Sequence, residues 1–485
     1  MEGRKTSAVV LAVGLGTFMS SLDSGVVNLA MPLIRGDFGV SMSMVEWIVT
    51  AYLLVVSSLL LTFGRIADMY GHKRVYQTGF ILFTLGSLAC GLSASIGMLI
   101  GARCLQALGA GMLFSTGPAI ITNSVPPERR GKALSVTSVA VALGLCAGPV
   151  IGGTLTTLAG WQSIFYINLP VGIMGMLLVR RNIPNDEKRT VAKFDIAGSA
   201  MVFFALLLLL LPLSLSGDYD LPVGWFAGLL GGGLALAAVF VLFESRRNSP
   251  MLNIKLFRNR VFSASSAAAM FIYMAQFIMV FLAPFYLQTL RDFSALASGL
   301  LYLPMPLATM AVAPISGAIS DKRDSRYISS FGALVLAGGL FMMSFFTADT
   351  PLPLIIVSMV VSGLGFGMFQ TPNNSAIMGN VPPQNRGTAS GTLATMRNIG
   401  MALGVAVSGA LFTFVQNGTK AALSVQGVAG AALETASFVQ GMRVTFLVAA
   451  CVALVSMAAS FTKGRVKTQA QLDQERAAAE AIQAE

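Results

Sequence analysis

Charge is what this sequence most lacks. Only 11% of its 485 residues are Asp, Glu, Lys or Arg, against about 25% in a soluble domain. Histidine occurs once, at His72, so no His-x-x-x-His metal pair and no Cys/His cluster can be assembled. The four cysteines, Cys90, Cys104, Cys146 and Cys451, sit inside apolar stretches with no paired spacing; they imply neither a disulfide framework nor a zinc site. There is no nucleotide-binding glycine loop, so the chain itself contains no ATP drive. The Ser and Asp residues form no triad-like group, and the connections are too short to hold a catalytic or sensory domain. No selectivity-filter repeat appears. An enzyme, a receptor and a channel are all poor readings, and no cofactor or metal is called for.

Long apolar runs are what is there. The chain is 55% hydrophobic with a mean hydropathy of +0.74. Its runs are continuous, not alternating, which indicates membrane-spanning helices and not a β-barrel. We expect fourteen spans, near residues 8–33, 43–63, 75–94, 97–123, 133–156, 161–179, 195–214, 223–243, 261–288, 295–319, 327–347, 352–378, 388–415 and 438–462. The first run is too long for a signal-peptide core and reads as a retained helix. Of the 32 Lys and Arg, 26 fall on the N-terminal side of alternating connections and four on the other side, with Arg103 and Arg397 inside spans. That asymmetry places both termini in the cytoplasm. The net charge of +11 is spread over these short connections and is no nucleic-acid footprint. The segment from about 417 to 440 reads as a weakly polar outer loop, open to being partly helical, and the chain after Lys463 as a solvated or frayed helical end.

The two halves repeat. Leu108-Gly109-Ala110-Gly111-Met112 matches Leu364-Gly365-Phe366-Gly367-Met368, 256 positions later. Val125-Pro126-Pro127 with Arg130-Gly131 recurs as Val381-Pro382-Pro383 with Arg386-Gly387, and Gly144 and Gly148 as Gly400 and Gly404. Gly64-Arg65-Ile66-Ala67-Asp68 resembles Gly317-Ala318-Ile319-Ser320-Asp321. Parallel repeats of six-helix halves mark transporters with a substrate site between the halves. The offset holds eight spans, so two must be inserted. We expect a six-helix bundle over 1–185, an inserted pair and linker over 186–260, a second bundle over 261–462 and a tail over 463–485.

The repeated parts are glycines and turns; the buried charges are not repeated. Arg103 aligns with Met359, Arg397 with Val141, and Asp23 with the neighbourhood of Gln276. A lone carboxyl group near a helix centre costs about 2.5–3.5 kcal/mol to insert, so Asp23 reads first as a proton, ion or substrate site. Arg103 lies about six residues from the far end of its span and Asp23 about ten, a depth difference of roughly 6 Å at ~1.5 Å per residue, which long side chains can close. Apolar burial favours a protonated carboxyl and a neighbouring guanidinium favours the carboxylate, so a conformational change that altered their separation would move a proton. The alternative is a permanent pair that orients two helices. Glu46, beside Trp47, reads either as an interfacial residue next to an aromatic anchor or as a second proton site. Arg397 either faces a central cavity or braces helices. Asn28, Gln106 and Gln276 complete the cavity candidates, since an amide within a span needs a partner.

Five motifs carry a family resemblance. Gly64-Arg65-Ile66-Ala67-Asp68-Met69-Tyr70-Gly71-His72-Lys73-Arg74 resembles the cytoplasmic-loop signature of the major facilitator superfamily. Its glycines permit a tight turn and close packing, and Asp68 could latch to Arg129 or Arg130; Asp321 ends the second copy. Gly144-Leu145-Cys146-Ala147-Gly148-Pro149-Val150-Ile151-Gly152-Gly153 resembles the fifth-helix motif of drug exporters in that superfamily, with small residues for close helix packing and Pro149 for a bend. Leu22-Asp23-Ser24-Gly25-Val26-Val27-Asn28-Leu29-Ala30-Met31-Pro32 is similar to the first helix of the fourteen-span drug/proton antiporters (EmrB/QacA-like), as are Trp161 to Pro170 and Leu256 to Arg260. Gly25, Ala107 and Glu46 depart from that pattern.

The resemblance implies an all-α membrane protein of two six-helix bundles plus an inserted helix pair. It implies a multi-pass exporter in the cell (inner) membrane that swaps protons for amphipathic or lipophilic compounds, that is, multidrug efflux. Its partners would be the small substrate, protons and membrane lipids, with a periplasmic adaptor an open question and no nucleic acid. A dedicated exporter of a lipid, siderophore or metabolite on the same scaffold is the alternative.

Overall fold

The computed structural model describes residues 2–125, 130–183, 196–215, 222–247, 254–381 and 386–464. Every regular element among them is helical. The first half runs α1 (Glu2–Phe38), α2 (Met42–Tyr70), α3 (His72–Gly91), α4 (Ile96–Ser124), α5 (Arg130–Ala159), the single turn α6 (Ser163–Tyr166) and α7 (Asn168–Asn182). Next come α8 (Ile196–Leu215) and α9 (Val223–Ser245). The second half runs α10 (Arg260–Phe285), continued by a π-turn at Tyr286–Leu290, then α11 (Ala295–Tyr302), α12 (Pro304–Lys322), α13 (Ser325–Met343), α14 (Leu352–Gly379), α15 (Arg386–Val425) and α16 (Gly430–Thr462).

Helix starts follow local chemistry. Ser41, Ser95 and Ser294 each accept a backbone N–H three residues on, opening α2, α4 and α11, and Asn259 does the same for α10. These side chains satisfy donors that the first helical turn leaves unpaired. Gly71 ends α2 and begins α3 at φ +98°, a conformation that a side chain would strain.

Twelve helices among the described residues are long and apolar enough to cross a membrane, not the expected fourteen. The two that fall short are α3, whose first turn is His72, Lys73 and Arg74, and α8, whose apolar part is Ala197–Leu213. The expected outer loop is largely helical: α15 runs on to Val425 and α16 begins at Gly430, and Lys420 Nζ meets Glu434 Oε2 at 2.7 Å between these extensions. The segment is rich in Ala, a strong helix former.

The repeat is visible in the packing. α5 lies along α1 as α15 lies along α10, and α3 packs on α4 as α13 packs on α14. The duplicated glycines are the contact points. A Cβ at Gly109 would sit 2.3 Å from Phe83 N, and one at Gly365 would sit 2.2 Å from Leu336 N. A Cβ at Gly400 or Gly404 would strike the carbonyl oxygen of Met270 or Met274. Side chains there would force the helices apart.

The named contacts between the halves gather away from the basic connections. Gly153 abuts Ala295 and Leu296, Gly299 abuts Pro149, and Gln288 Nε2 donates to Leu29 O at 2.8 Å. α8 fits against both α2 and α15; the Thr62 and Ser199 hydroxyls hydrogen-bond there. α9 packs on α8 and otherwise exposes apolar side chains such as Trp225, Leu234 and Leu242, as a lipid-facing helix does.

Candidate functional site: a buried carboxylate network

Asp23 sits at the centre of a polar network inside the first half. Arg103 Nη1 donates to Asp23 Oδ2 at 2.7 Å, while Oδ1 accepts from Gln106 Nε2 at 2.9 Å and Asn168 Nδ2 at 3.0 Å. Arg103 also donates to Gln106 Oε1 at 2.6 Å and, through Nε, to Ile48 O at 3.2 Å. Its guanidinium lies over the Tyr52 ring, 4.3 Å from the centroid. Ser87 closes the network: its hydroxyl accepts from Gln106 (3.2 Å) and Asn168 (3.0 Å) and donates to Phe165 O (2.9 Å). That uses all three of its hydrogen-bonding valences. Asp23 and Arg103 are each 1% exposed, and Gln106, Ser87 and Asn168 are fully enclosed. The remaining gaps are Asn168 Oδ1 and the Tyr52 hydroxyl, both buried without a hydrogen-bond partner.

Six helices supply these groups, and glycine contacts hold them in register. A Cβ at Gly86 would lie 2.5 Å from Gln106 N, so Gly86 is what lets Ser87 on α3 reach Gln106 on α4. On the other side, a Cβ at Gly144 would meet Ser21 and Leu22, at Gly148 would meet Gly25 and at Gly152 would meet Val26. The stripe on α5 therefore presses on the α1 turns that carry Asp23. Gly25, a departure from the family pattern, faces Gly148 with its Cβ position 3.4 Å from Gly148 Cα.

Other expected residues fall elsewhere. Gln106 belongs to the charge network and not to a cavity wall. Asn28 bonds within its own helix, to Ser24 O at 2.7 Å. Glu46 is not interfacial: it is fully buried, and its Oε2 occupies the space a Cβ at Gly409 would need, between α2 and α15. Gln276 donates to Met305 Sδ at 3.4 Å. Arg397 donates to Asn374 Oδ1 and lies 5.4 Å from the Tyr273 ring centroid.

In the loop motif, Asp68 is exposed and lies 3.4 Å from His72 Nε2, one helical turn on. Arg129 lies outside the described residues, as do the side chains of Arg130 and Asp321. No atom among the described residues lies within 4 Å of a Cβ at Gly64, so close packing does not explain that glycine; Gly71 makes the turn. Lys73 Nζ donates to Arg180 O at 3.2 Å, which ties the motif to the last turn of α7. Asn168 and Ser87 are the network members that sequence reasoning missed. Asn168 lies within the Trp161–Pro170 stretch, and a mid-span amide is the signal that could have found it.

The comparisons agree with this architecture. The Major Facilitator Superfamily profile matches residues 13–405. The riboflavin transporter RibZ of Clostridioides difficile (strain 630) is 37% identical over 407 residues, 83% of this chain and 88% of its own. The multidrug resistance protein Stp of Mycobacterium tuberculosis is 31% identical over 407 residues, 83% of this chain and 75% of its own. Among solved structures, a bacterial homologue of the human lysosomal transporter Spinster superposes with a TM-score of 0.70 at 16% identity, covering 95% of this chain and 97% of that one. The chain belongs to the Major Facilitator Superfamily. It is a transporter and not an enzyme.

Proposed function

We propose that this protein is a proton-coupled antiporter that exports amphipathic or lipophilic small molecules by alternating access. The observation that carries the reading is a carboxylate held by three donors, one of them a guanidinium, with no exposure to solvent. A permanent helix brace needs no charge there, because an apolar replacement of a buried ion pair is often neutral or stabilising. The network instead suits a site that must release Arg103 before Asp23 can take a proton. The contacts between the halves lie away from the basic connections, so this conformation opens toward them, on the cytoplasmic side by the Lys/Arg asymmetry. Rocking of the halves would part the Gly153–Ala295 and Pro149–Gly299 contacts and expose Asp23 to the opposite face. α3 and α8 complete a fourteen-crossing topology, with both termini in the cytoplasm and α8–α9 as the inserted pair.

A second reading, a dedicated metabolite exporter, is favoured by RibZ, which is named as a riboflavin transporter. Inverted vesicles with an imposed pH gradient test both readings, using riboflavin beside fluorescent amphiphiles of each charge. Gradient-driven accumulation that is absent in Asp23→Asn is expected. Accumulation by the variant at the wild-type rate would defeat the coupling role. Movement of riboflavin alone would select the second reading.

A further inference from the structure

Arg397 is a cation within a spanning helix that has no counter-charge among the described residues. Asp23 and Arg103 cancel each other. Glu46 is enclosed between α2 and α15 toward the opposite face. Arg397, in the basic-face part of α15, takes part in no ion pair among the described residues. Its Nη2 donates to Asn374, while its Nε is buried with no acceptor. A side chain serving only as a brace would have its buried donors satisfied.

The surroundings are built from three helices. Tyr273 of α10 lies under the guanidinium, its hydroxyl takes a hydrogen bond from Gln370 Nε2 of α14 at 2.8 Å, and its ring meets Phe366 edge-on at 5.1 Å. Tyr273 is thus fixed in place. Arg397, Asn374 and Gln370 are each partly exposed. Partly exposed polar groups within spanning helices face a water-lined cleft and not lipid. A planar guanidinium fork with unused N–H groups matches a carboxylate, and the adjoining aromatic faces match a planar ring.

We infer that Arg397, Tyr273 and Asn374 form a substrate subsite on the second half's wall, and that it takes the anionic group of an aromatic carboxylate. This rests on the reading of the chain as a small-molecule exporter and narrows it, because a net positive wall disfavours the cationic amphiphiles that a lone acid would attract. The test is equilibrium binding to the purified full chain in detergent, by calorimetry, of 2-naphthoate, 2-naphthamide and 2-naphthylmethylammonium. Naphthoate should bind about tenfold more tightly than the amide, with the ammonium weakest. Arg397→Gln should bring naphthoate to within about twofold of the amide while leaving the amide unchanged. If that variant does not fold, Arg397→Lys decides: reduced preference supports the fork, full preference overturns it. Equal binding of naphthoate and amide by wild type, failure of all three to bind, or preference surviving in Arg397→Gln overturns the proposal. Naphthoate that binds selectively but is not moved by a pH gradient counts against the coupling reading and leaves this subsite standing.

Discussion

The two halves are built on one set of glycine contacts yet hold their buried polar groups in different ways. In the first half, Asp23 is closed in by Arg103, Gln106, Asn168 and Ser87, and charge balances within the network. In the second, the neighbourhood aligned with Asp23 holds Gln276, whose amide donates to the Met305 sulfur, and the partly exposed Arg397 has no ion pair among the described residues. Duplication conserved what packs helices and left free what each half binds. On the function proposed above, one half holds and releases a proton and the other touches the substrate.

The comparison breaks most decisively at Asp23. Asp23→Asn leaves Arg103 buried without its counter-charge, and breaking such a pair costs about 3–5 kcal/mol. Gradient-driven transport in vesicles should fall to background, whereas Gln276→Leu at the aligned position should leave a pH response intact. Gly148→Val and Gly404→Val come next. Each overpacks an equivalent seam and should cost about 1–3 kcal/mol in thermal unfolding assays, but only Gly148→Val, against the α1 turns carrying Asp23, should also alter the pH dependence of transport. Asn168→Ala should cost about 1–3 kcal/mol by removing a donor from a buried carboxylate. Thermal unfolding measures that cost, and gradient-driven transport in vesicles should fall with it.

The smallest effect is at the basic-face end of the second half. Burial pushes the Lys463 ammonium down to about 7, with Asp324 opposing that shift and Arg326 adding to it; its Nζ donates to Ser329 Oγ at 2.7 Å. The folded state then sheds this proton near pH 7 while the unfolded chain keeps it to about 10.5. The contribution costs stability below pH 7 and is relieved as pH rises from 7 to 10.5. Lys463→Met should raise the melting temperature at pH 7 by about 2 °C and flatten that rise.

Much of the fold was legible because continuous apolar runs and glycine spacing are strong signals. Asp23 and Arg103 stood out because charge in a span is costly. Asn168 and Ser87 did not, because neutral polar residues are common in spans and only tertiary contact shows which share a carboxylate. Gln276 drew attention on the same reasoning that fits Asn168, and periodicity could not rank them. Glu46 read as interfacial from its place near a helix start; the approach of α15 at Gly409, invisible in sequence, buries it. The span count differed because α3 begins with three basic or titratable residues and the apolar part of α8 is short.

The most direct measurement is proton movement during export in proteoliposomes, with a pH-sensitive dye inside and a labelled transported compound outside. The account predicts that wild type moves protons opposite to substrate, and that Asp23→Asn still exchanges substrate down its gradient without moving protons. Proton movement by Asp23→Asn at the wild-type ratio would contradict it.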